Sequence, residues 1–272
     1  MIGLQFKRSK HDSCLYNWLR GDVVLYVVIY VDDILIVGNS IDAIRKLKMK
    51  LCTEFETRDL LEVSSFLGLN IHRDRKAGVL TIDQRVYVTK VLERFGMSTC
   101  KPSAIPMESH LKLEKNKDTK DRTTLPYREL VGCLMYLMVT SRPDICAAVN
   151  YFAAFQCCAT QEHWVHLKRV LRYLQGTVDF KLVYRRQEPP CVMKAYADAD
   201  WGNDPNDRHS VSGFVIKLCG SVVAWATKKQ SSVALSTTEA ELMALCLTSC
   251  ELMWMANLLR SIGCVVKEPI DI

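Results

Sequence analysis

The stretch Val23–Gly38, VVLYVVIYVDDILIVG, constrains this chain more than any other. Two apolar runs, Val23–Val31 and Ile34–Gly38, flank one adjacent pair of carboxylates, Asp32 and Asp33. Both runs are rich in β-branched and aromatic residues, which fit a pleated surface, so each is expected to be a strand with the acidic pair near the connecting turn. Neither run alternates polar with apolar residues, so the hairpin is expected to be buried on both faces with its acidic tip exposed. Adjacent carboxylates repel at neutral pH. Two readings stay open from residue types alone. Solvent offsets the repulsion in an ordinary acidic turn, whereas Mg²⁺ offsets it in a phosphate-handling site, because Mg²⁺ takes a few carboxylates together with substrate oxygens.

A chain of 272 residues can bury a sizeable core and suggests about two domains. Lys+Arg of 36 against Asp+Glu of 30 leaves a net charge of +6, compatible with a polyanion partner without requiring one. The opening residues MIGLQFKRSKHDS lack the apolar run of a signal peptide. Twelve cysteines, scattered through apolar segments with no CxxC pair, are expected to be reduced core thiols of an intracellular, non-secreted protein, cytoplasmic or nuclear. Cys157, Cys158, His163 and His166 match no zinc module, so helix packing is the better reading for them. Val23–Val31, the longest uncharged apolar run, is too short for a bilayer, which needs about 20 residues as a helix. No membrane partner is expected.

Residues 1–22 are polar and mixed, with Cys14, Leu15, Tyr16 and Trp18 expected at the hairpin entrance. Ile41–Phe55 has amphipathic helical spacing with a basic outer face. Ser65–His72 and Gly78–Ile82 are expected strands, and Tyr87–Phe95 a helix ending at Gly96. Cys100–Pro106 is an expected extended connector, and the charged Glu114–Thr124 a mobile loop. Helices are expected over Tyr127–Val139, Ile145–Phe155 and His163–Gln175, with Pro143 suited to a helix start. The third directs Trp164, Leu167, Val170, Leu171 and Leu174 inward and Lys168, Arg169 and Arg172 outward, where they are candidates for phosphate-backbone contact or solvated surface. Gln187-Glu188-Pro189-Pro190 is the clearest linker.

Beyond it, Val192–Tyr196 leads to Asp198-Ala199-Asp200-Trp201, and Gly213–Leu218 and Val222–Ala226 form a hairpin about Cys219-Gly220-Ser221. Ser236–Ile262 is a long helix. Its start carries the capping box Ser236-Thr237-Thr238-Glu239, which gives Glu239 a structural task and leaves Glu241 without one. Three antiparallel strands and a helix, with Asp198 on the first strand and Glu241 early in the helix, are a topology on which the two carboxylates can meet. The fold class is α+β.

Tyr30-Val31-Asp32-Asp33 resembles the YxDD metal-binding turn of reverse transcriptases. With SFLGLNIHR, RFGMSTCKPSAIPM, YRELVGCLMYLMVTSRPDI, HWVHLKRVLRYLQGT, AYADADWGNDPNDRHSVSGFVI and KKQSSVALSTTEAELMAL in order, nearly the whole chain resembles the Pol polyprotein of copia-type LTR retrotransposons. The resemblance implies a partial reverse-transcriptase palm over 1–88, a helical thumb and connection over 89–188, and the first part of a ribonuclease H-like domain over 191–272. It implies that Asp32 and Asp33 are two of three polymerase carboxylates, with Tyr30 and Val31 beside the primer end. Asp198 and Glu241 resemble the first and second ribonuclease H carboxylates, and Asp200 a neighbour rather than a ligand. It further implies Mg²⁺, an RNA template, a DNA primer, dNTPs and an RNA–DNA hybrid, with two-metal phosphoryl transfer at both centres. The family's first polymerase carboxylate and its third nuclease Asp, in an Asp-Asn-Gln-Ser-Ala-like segment, have no counterpart in these 272 residues. Each centre is therefore expected to lack one carboxylate. Alternative expectations are an inactive piece that binds nucleic acid, and a protein-contact module.

Overall fold

The structure, a computed structural model, describes residues 1–115, 123–187 and 190–272. The first sheet has the order β1 (Lys7–Arg8), β2 (Leu15–Arg20), β3 (Val23–Tyr30), β4 (Asp33–Gly38), all antiparallel. The hairpin is therefore half of a larger sheet. β2 escaped notice because Asn17 and Arg20 interrupt its apolar residues. Helix α1 (Ile41–Glu54) is capped by Ser40, whose side chain accepts from Ala43 N. It lays Leu47 and Leu51 on Phe6, Leu25 and Val27. The expectation of two buried faces is corrected here. α1 covers one face; the other meets the end of the last helix and leaves Leu19 and Val37 exposed.

A second sheet runs β5 (Ser65–Phe66), β6 (Leu69–Asp74), β7 (Val79–Asp83), and closes with β8 (Leu182–Arg185). Between β7 and β8 lie α2 (Arg85–Arg94), α3 (Tyr127–Thr140), a 3-10 turn at Pro143–Ile145, α4 (Cys146–Ala153) and α5 (Gln161–Gly176). Val88, Leu130, Leu134, Phe152, Leu167 and Leu171 are among the buried side chains of this helical core. The inward stripe expected for α5 is buried throughout. Gly96 ends α2 with φ +64, its N–H on Glu93 O and that of Met97 on Leu92 O. Buried His163 accepts through Nδ1 from Thr160 N at 3.2 Å, closing a capping box at the start of α5, so it belongs to helix packing.

Arg142 is 2% exposed. It donates to Asp144 at 2.7–3.2 Å and to Thr177 O and Oγ1 at 3.2 and 2.6 Å, tying the turn before α4 to the end of α5.

The third sheet, β11 (Ser221–Lys229), β10 (Val211–Leu218), β9 (Met193–Ala199), is antiparallel and carries α6 (Thr237–Ser261) on one face. Met193, Ala195, Phe214 and Ile216 meet Leu252, Met255, Ala256 and Leu259 there. Elsewhere β11 touches the helical core: Trp225 Nε1 donates to Met138 O at 2.7 Å, and Asn150 Nδ2 to Thr227 Oγ1 at 2.6 Å. The end of α6 reaches the first sheet, accepting at Ser261 O from Asn17 Nδ2 and at Ile262 O from Tyr26 Oη.

α6 is long and apolar enough to cross a membrane by length and composition only, and here it packs on the third sheet; Glu239, Glu241 and Glu251 break its uncharged run. The expected linker lies partly outside the described residues at 188–189, and the expected mobile loop largely so at 116–122. The twelve cysteines are free, but only Cys146 is buried, and Cys52, Cys157, Cys246 and Cys250 are exposed. The expectation of core thiols is corrected accordingly, because apolar neighbours in sequence did not mean a buried helix face.

Candidate active site

Tyr30 pairs with Asp33 in the β3–β4 ladder, so Val31 and Asp32 are the central residues of a tight turn. Val31 has φ +53, a conformation rare for a β-branched residue and costing about 1–3 kcal/mol. Six ladder pairs on each side of β3 hold it there. The strain coincides with exposure: Val31 is 83% and Tyr30 51% exposed, and Asp32 and Asp33 are exposed too. Neither carboxylate is in an ion pair among the described residues. The tip thus offers hard oxygen donors whose repulsion no protein cation offsets, a donor set suited to Mg²⁺.

The β5–β6 turn is pinned to the helical core. Leu67 and Gly68 take φ +48 and +74, and Tyr136 Oη donates to Leu67 O at 2.6 Å. A Cβ on Gly68 would collide with that hydroxyl. The same Tyr136 ring packs edge-on against Tyr87 at 4.9 Å.

Asp198 lies on β9, paired with Gly213, and is exposed. Asp200, just past the strand, accepts from Val211 N at 2.6 Å. Burial pushes its carboxyl up against the hydrogen bonds from Val211 and Asn203, with the Asp198 and Asp204 charges adding to the rise. It closes the end of the sheet. Glu239 accepts from Leu235 N at 2.7 Å while Ser236 Oγ accepts from Glu239 N at 3.1 Å; Glu241 projects exposed on the next turn. Asp198 and Glu241 therefore sit on elements that pack together. Among the described residues no three His, Cys, Asp or Glu side chains gather to hold a metal by themselves.

Two structural residues near this end went unremarked in the sequence. Lys229 bridges Asp204 and Asp207, and buried Gln230 donates to Ser212 Oγ and Ala240 O, both at 2.9 Å, joining β10, β11 and α6. The run Lys228-Lys229-Gln230 at a strand end was the available signal.

The basic groups of α5 stay outside its buried stripe and are engaged with neighbours there. Arg169 Nη1 donates to Glu108 Oε1 at 2.6 Å, Arg172 Nε to Lys101 O at 2.8 Å, and Lys168 lies over the Trp164 ring at 6.0 Å. Helical phase alone put them on the surface; the connector after α2 then folds over them.

A family model described as Reverse transcriptase (RNA-dependent DNA polymerase) matches residues 1–109, which include the strained acidic hairpin. The chain is 37% identical over 97% of its length to the Retrovirus-related Pol polyprotein from transposon TNT 1-94 of Nicotiana tabacum, and 36% identical over 99% to that from transposon RE2 of Arabidopsis thaliana. This chain belongs to the copia-type retrotransposon Pol family. It spans about a fifth of the length of those relatives, 20% and 18%. An uncharacterized mitochondrial protein of Arabidopsis thaliana is similar on a smaller scale, 37% identical over 85% of this chain and 94% of that protein. No solved structure matches. Within the Pol family assignment, the matched segment carries the first sheet, α1, β5–β7 and α2.

Proposed function

We propose that this chain supplies part of an RNA-directed DNA polymerase with an attached ribonuclease H, acting on a primed RNA template and on RNA–DNA hybrid. The observation that carries the reading is the unpaired, exposed Asp32-Asp33 pair on a strained, rigidly laddered turn inside the reverse-transcriptase match. Asp32 and Asp33 are the residues that would hold Mg²⁺, which when bound supplies charge for activating a primer hydroxyl and stabilising departing phosphate. The residues do the positioning. The β2–β3–β4 ladder fixes both carboxylates at one end of a sheet, and exposed Tyr30 and Val31 border them where a primer terminus is expected. Asp198 and Glu241 are proposed as two carboxylates of the nuclease, with β9–β11 and α6 as part of a ribonuclease H-like unit. Asp200 is then a support held by Val211.

Primer extension and hybrid cleavage with dNTPs and Mg²⁺, run on the purified chain, test this. Asp32→Asn is expected to reduce extension by more than the roughly 10–100-fold that loss of an outer-shell partner costs. Glu241→Gln is expected to abolish cleavage and spare extension. Unchanged extension in Asp32→Asn defeats the polymerase reading. The missing three-carboxylate cluster among the described residues favours a second reading, a chain that binds nucleic acid without turnover. Hybrid binding with no activity in the unsubstituted chain selects it.

A further inference from the structure

Three cysteines from distant parts of the chain meet at one edge of the third sheet. Cys191 precedes β9, Cys219 occupies the β10–β11 turn, and Cys264 follows α6. Backbone bonds fix all three stretches: Cys191 N donates to Val265 O at 2.8 Å, Lys267 N to Cys191 O at 2.9 Å, and Cys219 N to Val192 O at 2.7 Å. Cys191 also bridges Val266, two residues after Cys264, so the three cysteines lie on neighbouring backbone stretches. Cys219 lies opposite Val192, so Cys191 is its diagonal neighbour; strands about 5 Å apart with a rise of about 3.3 Å per residue put that diagonal at about 6 Å, inside the Cα separation of roughly 4.4–6.8 Å that a disulfide spans.

The cluster also has an entrance. A cleft of about 270 Å³ is bordered by Gln187, Pro190, Val192, Cys219 and Gly220. Cys219 and Gly220 take φ +50 and +80, so a tight turn presents the Cys219 side chain at the cleft wall. Burial, and then the two neighbouring thiols, push Cys191 up to about 11, and burial also raises Cys264. A thiol held protonated in this way is a poor first nucleophile.

We propose that Cys219 and Cys191 are a peroxide-oxidisable thiol pair, with Cys264 as a third thiol that can exchange into the bond. Cys219 sulfur attacks one peroxide oxygen; the O–O bond breaks, giving Cys219 sulfenic acid and one water, which takes the thiol proton. Cys191 sulfur then attacks the Cys219 sulfur; the S–O bond breaks and a second water leaves with the Cys191 proton. In sum, two thiols lose two electrons to one peroxide, yielding a disulfide and two waters. Attack of Cys264 on Cys191 sulfur moves the bond and returns Cys219 to a thiol, with no net redox change. The bond ties the β10–β11 turn, the start of β9 and the segment after α6 into one cross-linked edge.

Tryptic mapping of the whole chain tests the assignment, because each cysteine falls on its own peptide: QEPPCVMK, LCGSVVAWATK and SIGCVVK. The reduced protein is treated with hydrogen peroxide, blocked with N-ethylmaleimide and digested. The expected product is the first peptide joined to the second, lost on treatment with dithiothreitol. Cys264→Ser is expected to keep this link, and Cys191→Ser to leave Cys219 as a sulfenic acid that dimedone labels. Three maleimide-blocked peptides, alongside oxidised Cys246 and Cys250, overturn the proposal. So does a link that forms equally fast in urea-unfolded chain, or one joining Cys191 to Cys264 in protein whose Cys219 was blocked first.

Discussion

Replacing Asp144 by Asn removes the only carboxylate, among the described residues, on a guanidinium that has almost no access to water. Arg142 makes three contacts to Asp144 at 2.7–3.2 Å, is 2% exposed, and lies 5.8 and 5.5 Å from the ring centres of Tyr173 and Phe180. Breaking such a pair from the carboxylate side strands a buried positive charge and costs about 3–5 kcal/mol. The reverse change is milder. In Arg142→Met the aliphatic volume is kept, and Asp144, with 26% of its side chain exposed, regains water. What is lost is the two bonds to Thr177, about 1.5 kcal/mol each for a charged donor whose half-buried acceptor regains water. Asp144→Asn should therefore destabilise more than Arg142→Met, by up to about 2 kcal/mol. At about 2–4 °C per kcal/mol for a chain near this size, the Asn variant should melt roughly 6–20 °C below the parent. Urea and thermal unfolding followed by far-UV circular dichroism give both numbers. A milder effect in Asp144→Asn than in Arg142→Met would refute the argument, because the charge would then not depend on its partner.

Burial lowers the His163 pKa from its ordinary value, so the unfolded chain takes up the proton first as pH falls. Stability contributed by neutral His163 should be complete above its ordinary value near pH 6.5 and lost as pH falls toward the depressed folded value. His163→Gln, which can still cap at that position, should flatten this part of a urea-midpoint against pH profile. Gly38 sits where a Cβ would collide with Leu25 Cδ2 and approach Val24 O at 2.8 Å. Gly38→Ala should cost about 1–3 kcal/mol, and an unchanged urea midpoint would show that β4 can shift away from β3.

What the sequence disclosed depended on how local each cause was. The inward stripe of α5, the cap at Ser236 and the stop at Gly96 are set by residues within a few positions, and all were legible. The acidic turn was legible as a turn, but the strain at Val31 was not, because a Val in that spot gives no propensity signal for positive φ. That Arg169 and Arg172 are engaged was not legible, because their partners, Glu108 and Lys101, lie some sixty to seventy residues earlier. The role of Arg142 was not legible, since its partner Thr177 comes after two helices, α4 and α5. The strand that carries Asp198 and the helix that carries Glu241 were legible as elements, and they pack on each other.

The pairing of β7 with β8 bears on how such a chain is made. The second sheet cannot be completed until Leu182–Arg185 has emerged, roughly 100 residues and about 5–20 s of synthesis after β7. Until then the free edge of β7 is a template for any extended segment nearby. The helices synthesised in between have time to collapse on one another, because their contacts are mostly short in range. Vectorial synthesis therefore favours a finished helical core that later delivers its own trailing strand to a waiting edge. A ribosome pause just after α5 would prolong the exposure of that edge, whereas one after β8 would not.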